Sequence, residues 1–188
     1  GDDPEQSVFL QIDPPLLGLE SAEHAKAGLR MARGFRQRLR KAGLPARGLV
    51  GAYGLGKCQR LIALLRDSGY DQPIYLHGAM QALCDLYGRL GIELGALRPV
   101  VGATKDELAG AIVLAPPSAL ADRWSRRLSE PVTVFASGWM RVRARARQRG
   151  VELPLVISDH ADWPELLRTI AETNAAEVWV THGREDAL

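Results

Sequence analysis

The strongest constraint on the fold lies near the carboxyl end of the chain, in residues 153–183. This stretch contains two short apolar runs, Leu155–Ile157 and Val178–Val180, and each run is followed by polar residues and a histidine. Short β-branched runs that end in polar residues predict buried strands. Between the two runs, residues 164–175 carry apolar side chains at the spacing of one helix face. The pattern therefore predicts a strand, a helix and a second strand, with a histidine after each strand.

The two histidines of this unit, His160 and His182, are expected to lie at one edge of the sheet. A right-handed crossover places the carboxyl ends of parallel strands together, and α/β sheets bind ligands at that edge. Asp162 lies two residues after His160 and suits both the N-cap of the helix and the orientation of an imidazole. A histidine at a strand end is also commonly a polar terminus with a structural hydrogen bond. Both interpretations stay open from the sequence.

The rest of the chain alternates predicted strands and helices. Strands are expected at 49–53, 73–76, 111–115 and 132–136, and helices at 21–42, 57–66, 78–89 and 118–128. His77 follows one of these strands, and there we favour a structural role. The alternation predicts an α/β fold with a mostly parallel, three-layer sheet. A length of 188 residues suffices for one domain with a sizeable core, or for two small lobes.

A glycine-rich turn joins the first strand of this series to its helix. Gly51–Cys58 satisfies the first seven places of the phosphate-binding pattern G-x-x-x-x-G-K-[ST], but Cys58 replaces the hydroxyl that ligates Mg²⁺. A thiol is a poor ligand for that cation, which prefers oxygen. The turn is compatible with a P-loop nucleotide-binding protein, or with a nucleic-acid backbone contact made by Lys57.

A basic run precedes His160 in the sequence. Five arginines alternate with other residues between positions 141 and 149, immediately after Trp139. Arginine pairs with phosphate in a bidentate manner, and an adjacent aromatic ring can stack on a base. The run therefore favours nucleic-acid binding, although a solvated, solubilising segment has the same composition. The overall net charge of +2 favours no partner class.

Several of these stretches together resemble one family. Ser158–Asp162 and Val178–Gly183 resemble the histidine-bearing motifs B and C of the β-CASP branch of the metallo-β-lactamase fold. Three further stretches resemble the same branch in the same order: Gly51–Lys57, Ala115–Leu120 and Ala136–Met140. Within this branch, the motifs are most similar to those of bacterial ligase-associated DNA exonucleases, which are also described as mRNA 3′-end processing factors.

The resemblance implies a Rossmann-like β-CASP cap inserted into a metallo-β-lactamase (αββα) domain. On that map residues 48–141 are part of the cap, residues 142–188 are the C-terminal part of the metallo-β-lactamase domain, and residues 1–47 are unassigned. The implied activity is phosphodiester hydrolysis of a single strand of DNA or RNA with two zinc ions. His182 would ligate zinc, His160 would act as general acid, and Asp162 would orient His160. The residues expected to hold the strand are Lys57, Trp139, Arg141, Arg143 and Arg145.

The chain departs from this family in its metal ligands. It contains only four histidines and no H-x-H pair, so one zinc ligand of the family is recognisable. We therefore expect a C-terminal piece of a di-zinc nuclease that is inactive alone. The family resemblance implies a DNA ligase and helicase repair system as its partner. The alternatives are a nucleic-acid-binding module without catalysis and the P-loop protein. Two cysteines without disulfide spacing predict a cytoplasmic protein, and no apolar run is long enough to span a membrane.

Overall fold

The computed structural model of the chain describes residues 30, 33–37, 47–128, 131–141, 150–158, 161 and 163–179. For Arg47, Trp139, Arg141 and Trp163 it describes the backbone alone. The chain divides into two compact units, one formed by Pro15–Asp159 and the other by Gly1–Pro14 with His160–Leu188. Because the division falls at 159/160, the domain limits given by the family resemblance stay a prediction.

The larger unit is built on a six-stranded sheet in which every strand pair is parallel. The order across the sheet is β3-β2-β4-β1-β5-β6. The predicted α/β class and parallel sheet are thus confirmed. The strands are β1 (Arg47–Gly51), β2 (Ile74–Leu76), β3 (Leu97–Pro99), β4 (Ile112–Ala115), β5 (Pro131–Ala136) and β6 (Leu153–Leu155).

The central strands are apolar on both faces because both faces are covered. In β1, Val50 belongs to one core cluster and Leu49 to another, and each is fully buried. The same alternation holds in β4, where Ile112 and Val113 point into different clusters. Successive side chains of a strand point to opposite faces, so a run without polar interruptions indicates a strand buried on both sides.

Two helices cover the first face of the sheet. Helix α1 spans Lys57–Asp67 and helix α2 spans Gly78–Arg89, close to the predicted limits. Their apolar residues share a core cluster with Val50 and with Phe35 from the helical segment 33–37. After α1 the chain turns at Gly69, whose φ of +83° favours glycine.

The second face is covered by two short 3₁₀ turns, so the predicted helix at 118–128 is wrong. The turns span Pro117–Leu120 and Ser125–Arg127. Between them the Asp122 carboxylate accepts from the Arg123 amide at 2.6 Å, and the Ser125 hydroxyl donates to the Asp122 carbonyl at 2.7 Å. Such local bonds compete with the helical ladder. The segment still buries Ala119 and Leu128 against this face.

The smaller unit contains helix α3, Trp163–Thr173. It confirms the helix expected from residue 164, and it ends where Asn174 takes the left-handed conformation with a φ of 50°. The strand predicted at 178–180 is wrong over its described part. Val178 and Trp179 are not in a strand and are 43% and 65% exposed. Without burial, their β-branched and aromatic character does not suffice to make a strand.

The apolar run Leu155–Ile157, which belongs to the larger unit, is also shorter as a strand than predicted. Strand β6 ends at Leu155, while Val156 is 49% exposed and Ile157 is buried outside the strand. β6 pairs with β5 in parallel register, from Val134 opposite Leu153 to Ala136 opposite Leu155. No described helix is both long and apolar enough to cross a bilayer.

Candidate functional site

At the carboxyl edge of the sheet, the chain leaves β1 on one face and leaves its two neighbouring strands on the other. The connection after β1 runs to the first face, as α1, whereas the 3₁₀ turns after β4 pack on the second face. Met140, from the connection after β5, packs against Phe135 and Leu120 rather than with α1. β1 lies between β4 and β5, and the segments that follow these two strands pack on the face opposite to α1. Chain reversals of this kind are where open α/β sheets bind ligands.

Close packing determines the path of the loop that leaves β1. A Cβ at Gly51 would lie 2.6 Å from Leu120 Cδ1, so a larger residue there would displace this side chain of the turn after β4. At the end of the loop Gly56 is the residue before α1 and has a φ of 74°. The glycines of the pattern therefore serve strand packing and the sharp entry into α1.

The backbone amides of this loop are already engaged within the protein. The Lys57 amide donates to the Leu55 carbonyl at 2.9 Å, and the Cys58 amide donates to the Tyr53 carbonyl at 3.1 Å. The Ala52 amide donates to the Ala115 carbonyl at 3.0 Å. A phosphate cradle needs such amides to point at the ligand. The strand-to-helix context of the P-loop pattern is present, but these three donors do not form its cradle.

A buried amide side chain anchors the loop from below. Gln59 is fully buried, and its Nε2 donates to the Gly54 carbonyl at 2.9 Å and to Cys84 Sγ at 3.4 Å. The bond to Gly54 links the loop to α1, and the bond to Cys84 links α1 to α2. The loop is therefore tied to both helices of the first face.

Lys57 and Tyr53 form a pair in the loop at the carboxyl end of β1. The Lys57 ammonium lies 5.1 Å from the centroid of the Tyr53 ring, within the range of a cation–π contact. Lys57 is only 5% exposed, whereas Tyr53 is 54% exposed and Leu55 is 51% exposed. Sequence reasoning singled out the lysine and missed the tyrosine. An aromatic residue directly after a buried strand, inside a glycine-rich turn, was the signal available.

Two further stretches singled out in the sequence meet at the same edge. The 3₁₀ turn Gly138–Arg141 follows β5, and the buried Ser137 before it donates its amide to the Leu155 carbonyl at 3.0 Å. A Cβ at Gly138 would lie 3.6 Å from Ser158 Cβ. Arg60, in the second turn of α1, donates to the Ser158 carbonyl. The ends of β1, β5 and β6 are thus joined by contacts around Ser158.

His77 takes the structural role that the sequence favoured. It precedes α2, and its Nδ1 accepts from the Ala79 amide at 3.1 Å as an N-cap. Its ring also makes an edge-on contact with Trp124, with centroids 4.6 Å apart. A neutral imidazole that accepts an amide hydrogen bond is satisfied without a metal.

The predicted catalytic and metal residues lie outside the described residues. These are His160, Asp162 and His182, together with Arg143 and Arg145 of the basic run. Trp139 and Arg141 are placed by their backbone in the turn after β5. Within the described ranges no cluster of three His, Cys, Asp or Glu side chains could hold a metal ion.

Comparison with known proteins gives one informative similarity. The chain is 30% identical over 131 residues to a protein from Opitutus terrae described as a probable DNA ligase. The aligned part is 70% of this chain but only 12% of that protein, so the chain corresponds to a small segment of it. No family profile matches the chain.

Proposed function

We propose that this chain is the strand-binding part of a metal-dependent nuclease of the β-CASP type. The observation that supports this most is the convergence of three separate stretches at one sheet edge. The Gly51–Lys57 loop, the Ser137–Arg141 turn and Ser158 are joined there through Arg60 and Gly138. These three stretches overlap three of the five that carry the resemblance to β-CASP nucleases.

The substrate proposed for this edge is a single strand of DNA or RNA. Arg141, Arg143 and Arg145 would pair with its phosphates, and Trp139 would stack on a base. Lys57 would add positive charge from below the edge, because it is buried and in contact with Tyr53. This division assigns sequence-independent affinity to the arginines and local positioning to the aromatic groups.

His160 is proposed as the general acid that protonates the leaving oxygen, and Asp162 as the carboxylate that orients its ring. Proton transfer of this kind contributes roughly 10²–10⁴-fold to a rate. The proton of His160 would go to the sugar oxygen that is released when the phosphodiester bond breaks.

The donors of this chain do not fit a pair of zinc ions. A catalytic zinc takes about three protein ligands, and His182 is the one recognisable family ligand. His77 is engaged as a helix cap, and the described residues hold no three-donor cluster. We therefore propose that any zinc site of this nuclease is completed by residues other than those of this chain, and we derive no step through the metal.

The similarity to a probable DNA ligase is compatible with a role in DNA metabolism. It does not favour ligation by this chain, because the aligned segment is 12% of that protein. A repair system that contains a DNA ligase is the partner we propose. Nucleotide binding through a P-loop is the weaker alternative, since the Lys57 and Cys58 amides donate within the loop. A cytoplasmic location remains part of the proposal.

Oligonucleotide binding by arginine variants tests the strand-binding role. Arg143→Ala with Arg145→Ala should weaken the binding of a labelled single strand and flatten its salt dependence, because fewer phosphate contacts release fewer counterions. Arg126→Ala with Arg127→Ala removes the same charge from exposed positions before β5, and it should leave the salt slope nearly unchanged. Equal slopes for both double variants would contradict the assignment. Displacement of the oligonucleotide by Mg²⁺–ATP would favour the P-loop alternative.

Single-turnover hydrolysis tests the nuclease assignment in the protein translated from the complete reading frame. His160→Ala should slow cleavage by roughly 10²–10⁴-fold, because a general acid acts on the chemical step. Its affinity for the strand and its zinc content should stay nearly constant. A loss of zinc in His160→Ala, or an unchanged rate, would overturn the role of His160.

A further inference from the structure

We infer that Tyr53 is a stacking platform for an unpaired base of the bound strand. This inference rests on the proposed function and adds a residue that neither the sequence motifs nor the resemblance assigned. Tyr53 lies at the carboxyl edge of the sheet, directly after β1, where the chain leaves for the first face while its neighbours leave for the second. A nucleic-acid strand bound at this edge would lie beside the loop that carries Tyr53.

The ring of Tyr53 is available for a ligand. It is 54% exposed, although Ala52, one residue before it, and Val50, three residues before it, are fully buried. Tyr53 belongs to none of the core clusters among the described residues. A tyrosine outside the core at a sheet edge contributes little to folding, so its large apolar area suits a binding role.

The backbone of the loop that carries the ring is held in place before any ligand arrives. The Tyr53 carbonyl accepts from the Cys58 amide at 3.1 Å, and the Gly54 carbonyl accepts from the buried Gln59 at 2.9 Å. A Cβ at Gly54 would lie 3.2 Å from Leu83 Cδ1, so α2 packs closely against the loop. Binding to a fixed platform costs less conformational entropy than binding to a mobile one.

The surroundings of the ring point to a nucleobase next to a phosphate. A base offers a flat π-face that stacks on an aromatic ring whatever its sequence. The Lys57 ammonium lies over one face of the ring, 5.1 Å from its centroid, so a base would stack on the opposite face with that positive charge nearby. Leu55 is 51% exposed in the same loop and extends the apolar surface. Stacking needs an unpaired base, so the platform selects single strands over duplexes.

The test compares Tyr53→Ala and Tyr53→Phe in the full chain, with fluorescence anisotropy of a labelled single-stranded oligonucleotide. Tyr53→Ala should raise Kd roughly 5- to 150-fold, the range that loss of one stacked base gives. Tyr53→Phe should stay within about 2-fold of the unmodified chain because it keeps the π-face. Since stacking releases no counterions, the salt slope should stay the same in both variants. Leu90→Ala removes a residue that is 68% exposed just after α2 and serves as the control.

A series of oligonucleotides with one abasic site at each position in turn completes the test. At one position the missing base should weaken binding to the unmodified chain, and the same lesion should have no further effect on Tyr53→Ala. Tyr53→Leu, which keeps bulk without a π-face, should behave like Tyr53→Ala and replaces it if that variant fails to fold. Salt-dependent binding that is equal in the unmodified chain and Tyr53→Ala would overturn this inference alone. Absence of any strand binding by the unmodified chain would overturn the proposed function and this inference with it.

Discussion

At the scale of single residues, the candidate site depends on two kinds of position. At one there is little space for a larger side chain, and at the other the side chain is buried from water. Gly51 faces Leu120 and Phe135 at the end of β1, and Cys58 lies fully buried in the first turn of α1. The sequence marked both positions, but as parts of a phosphate-binding pattern. Their role became visible only through neighbours distant in sequence. Such contacts cannot be predicted from local spacing.

Gly51→Ala should destabilise the protein by about 1–3 kcal/mol, because its new methyl group would lie 2.6 Å from Leu120 Cδ1. Urea denaturation followed by circular dichroism measures the loss. Leu120→Ala should remove most of the additional cost in the double variant. Gly88→Ala is the matched control, since a Cβ there would have no atom within 4 Å and helix α2 favours alanine. A Gly51→Ala protein as stable as Gly88→Ala would show that the turn after β4 does not pack as described.

Stability should fall as pH rises above the ordinary pKa of a thiol, 9.0, and Cys58 should be a main cause. A hydrogen bond with Cys84 and burial raise the pKa of Cys58 far above that value, whereas the same hydrogen bond lowers the pKa of Cys84, so Cys84 is the first of the pair to lose its proton. At Cys58 the folded protein keeps a proton that the unfolded chain releases, so the free energy of unfolding decreases by up to about 1.4 kcal/mol per pH unit. Below the ordinary pKa this contribution is fully present.

Urea unfolding between pH 8 and 10 measures the alkaline decrease. Cys58→Ala lowers stability at all pH values by removing a buried sulfur, but its decrease with pH in this window should be shallower. Burial also raises the pKa of Tyr70, so a further loss is expected above about pH 10 in both proteins. An identical pH dependence in the two proteins below that point would contradict the role of Cys58.

At the scale of elements, the strands and the two long helices follow from apolar pattern, and the exceptions have local causes. The runs that form β1, β4 and β5 were predicted because strands covered on both faces are mostly apolar. The region 117–128 did not form its predicted helix because Asp122 and Ser125 bond to nearby backbone groups. Val178 and Trp179 have strand-forming side chains but no burial, which local sequence does not reveal.

The start of α2 gives a test at this scale. His77→Ala should cost about 0.5–2 kcal/mol, because the Ala79 amide loses the acceptor that caps the helix. His77→Asn should recover much of that stability, since asparagine is a strong capping residue. The midpoint of urea unfolding gives the ranking. A catalytic or metal-binding role would instead leave stability unchanged in His77→Ala, and that result would contradict the cap.

At the scale of the whole molecule, the sequence predicted which stretches meet at the candidate site better than it predicted the burial and exposure of their side chains. The Gly51–Lys57 loop, the turn after β5 and Ser158 do share one edge, as parallel strands require. The burial of Lys57 and the exposure of Tyr53 were not predicted, because local patterns give no information on which side chain an adjacent helix will cover. The geometry of His160, Asp162 and His182 stays a prediction.

Zinc content tests the incomplete metal site. After dialysis against metal-free buffer, the chain should retain much less than one zinc ion per molecule by elemental analysis, because one recognisable ligand cannot hold the ion. His182→Ala should therefore change the zinc content little in this chain. Two zinc ions retained per chain would show that its own residues complete the site.

The salt dependence of single-strand binding tests the central claim most directly. Binding of a labelled oligonucleotide to the unmodified 188-residue chain is measured between 50 and 300 mM salt. The logarithm of the association constant should fall linearly with the logarithm of the salt concentration. The slope should be roughly −0.7 for each phosphate contacted, which gives about −2 to −4 for three to five basic side chains. Absence of saturable binding at the lowest salt concentration, or a slope near zero, would contradict the account.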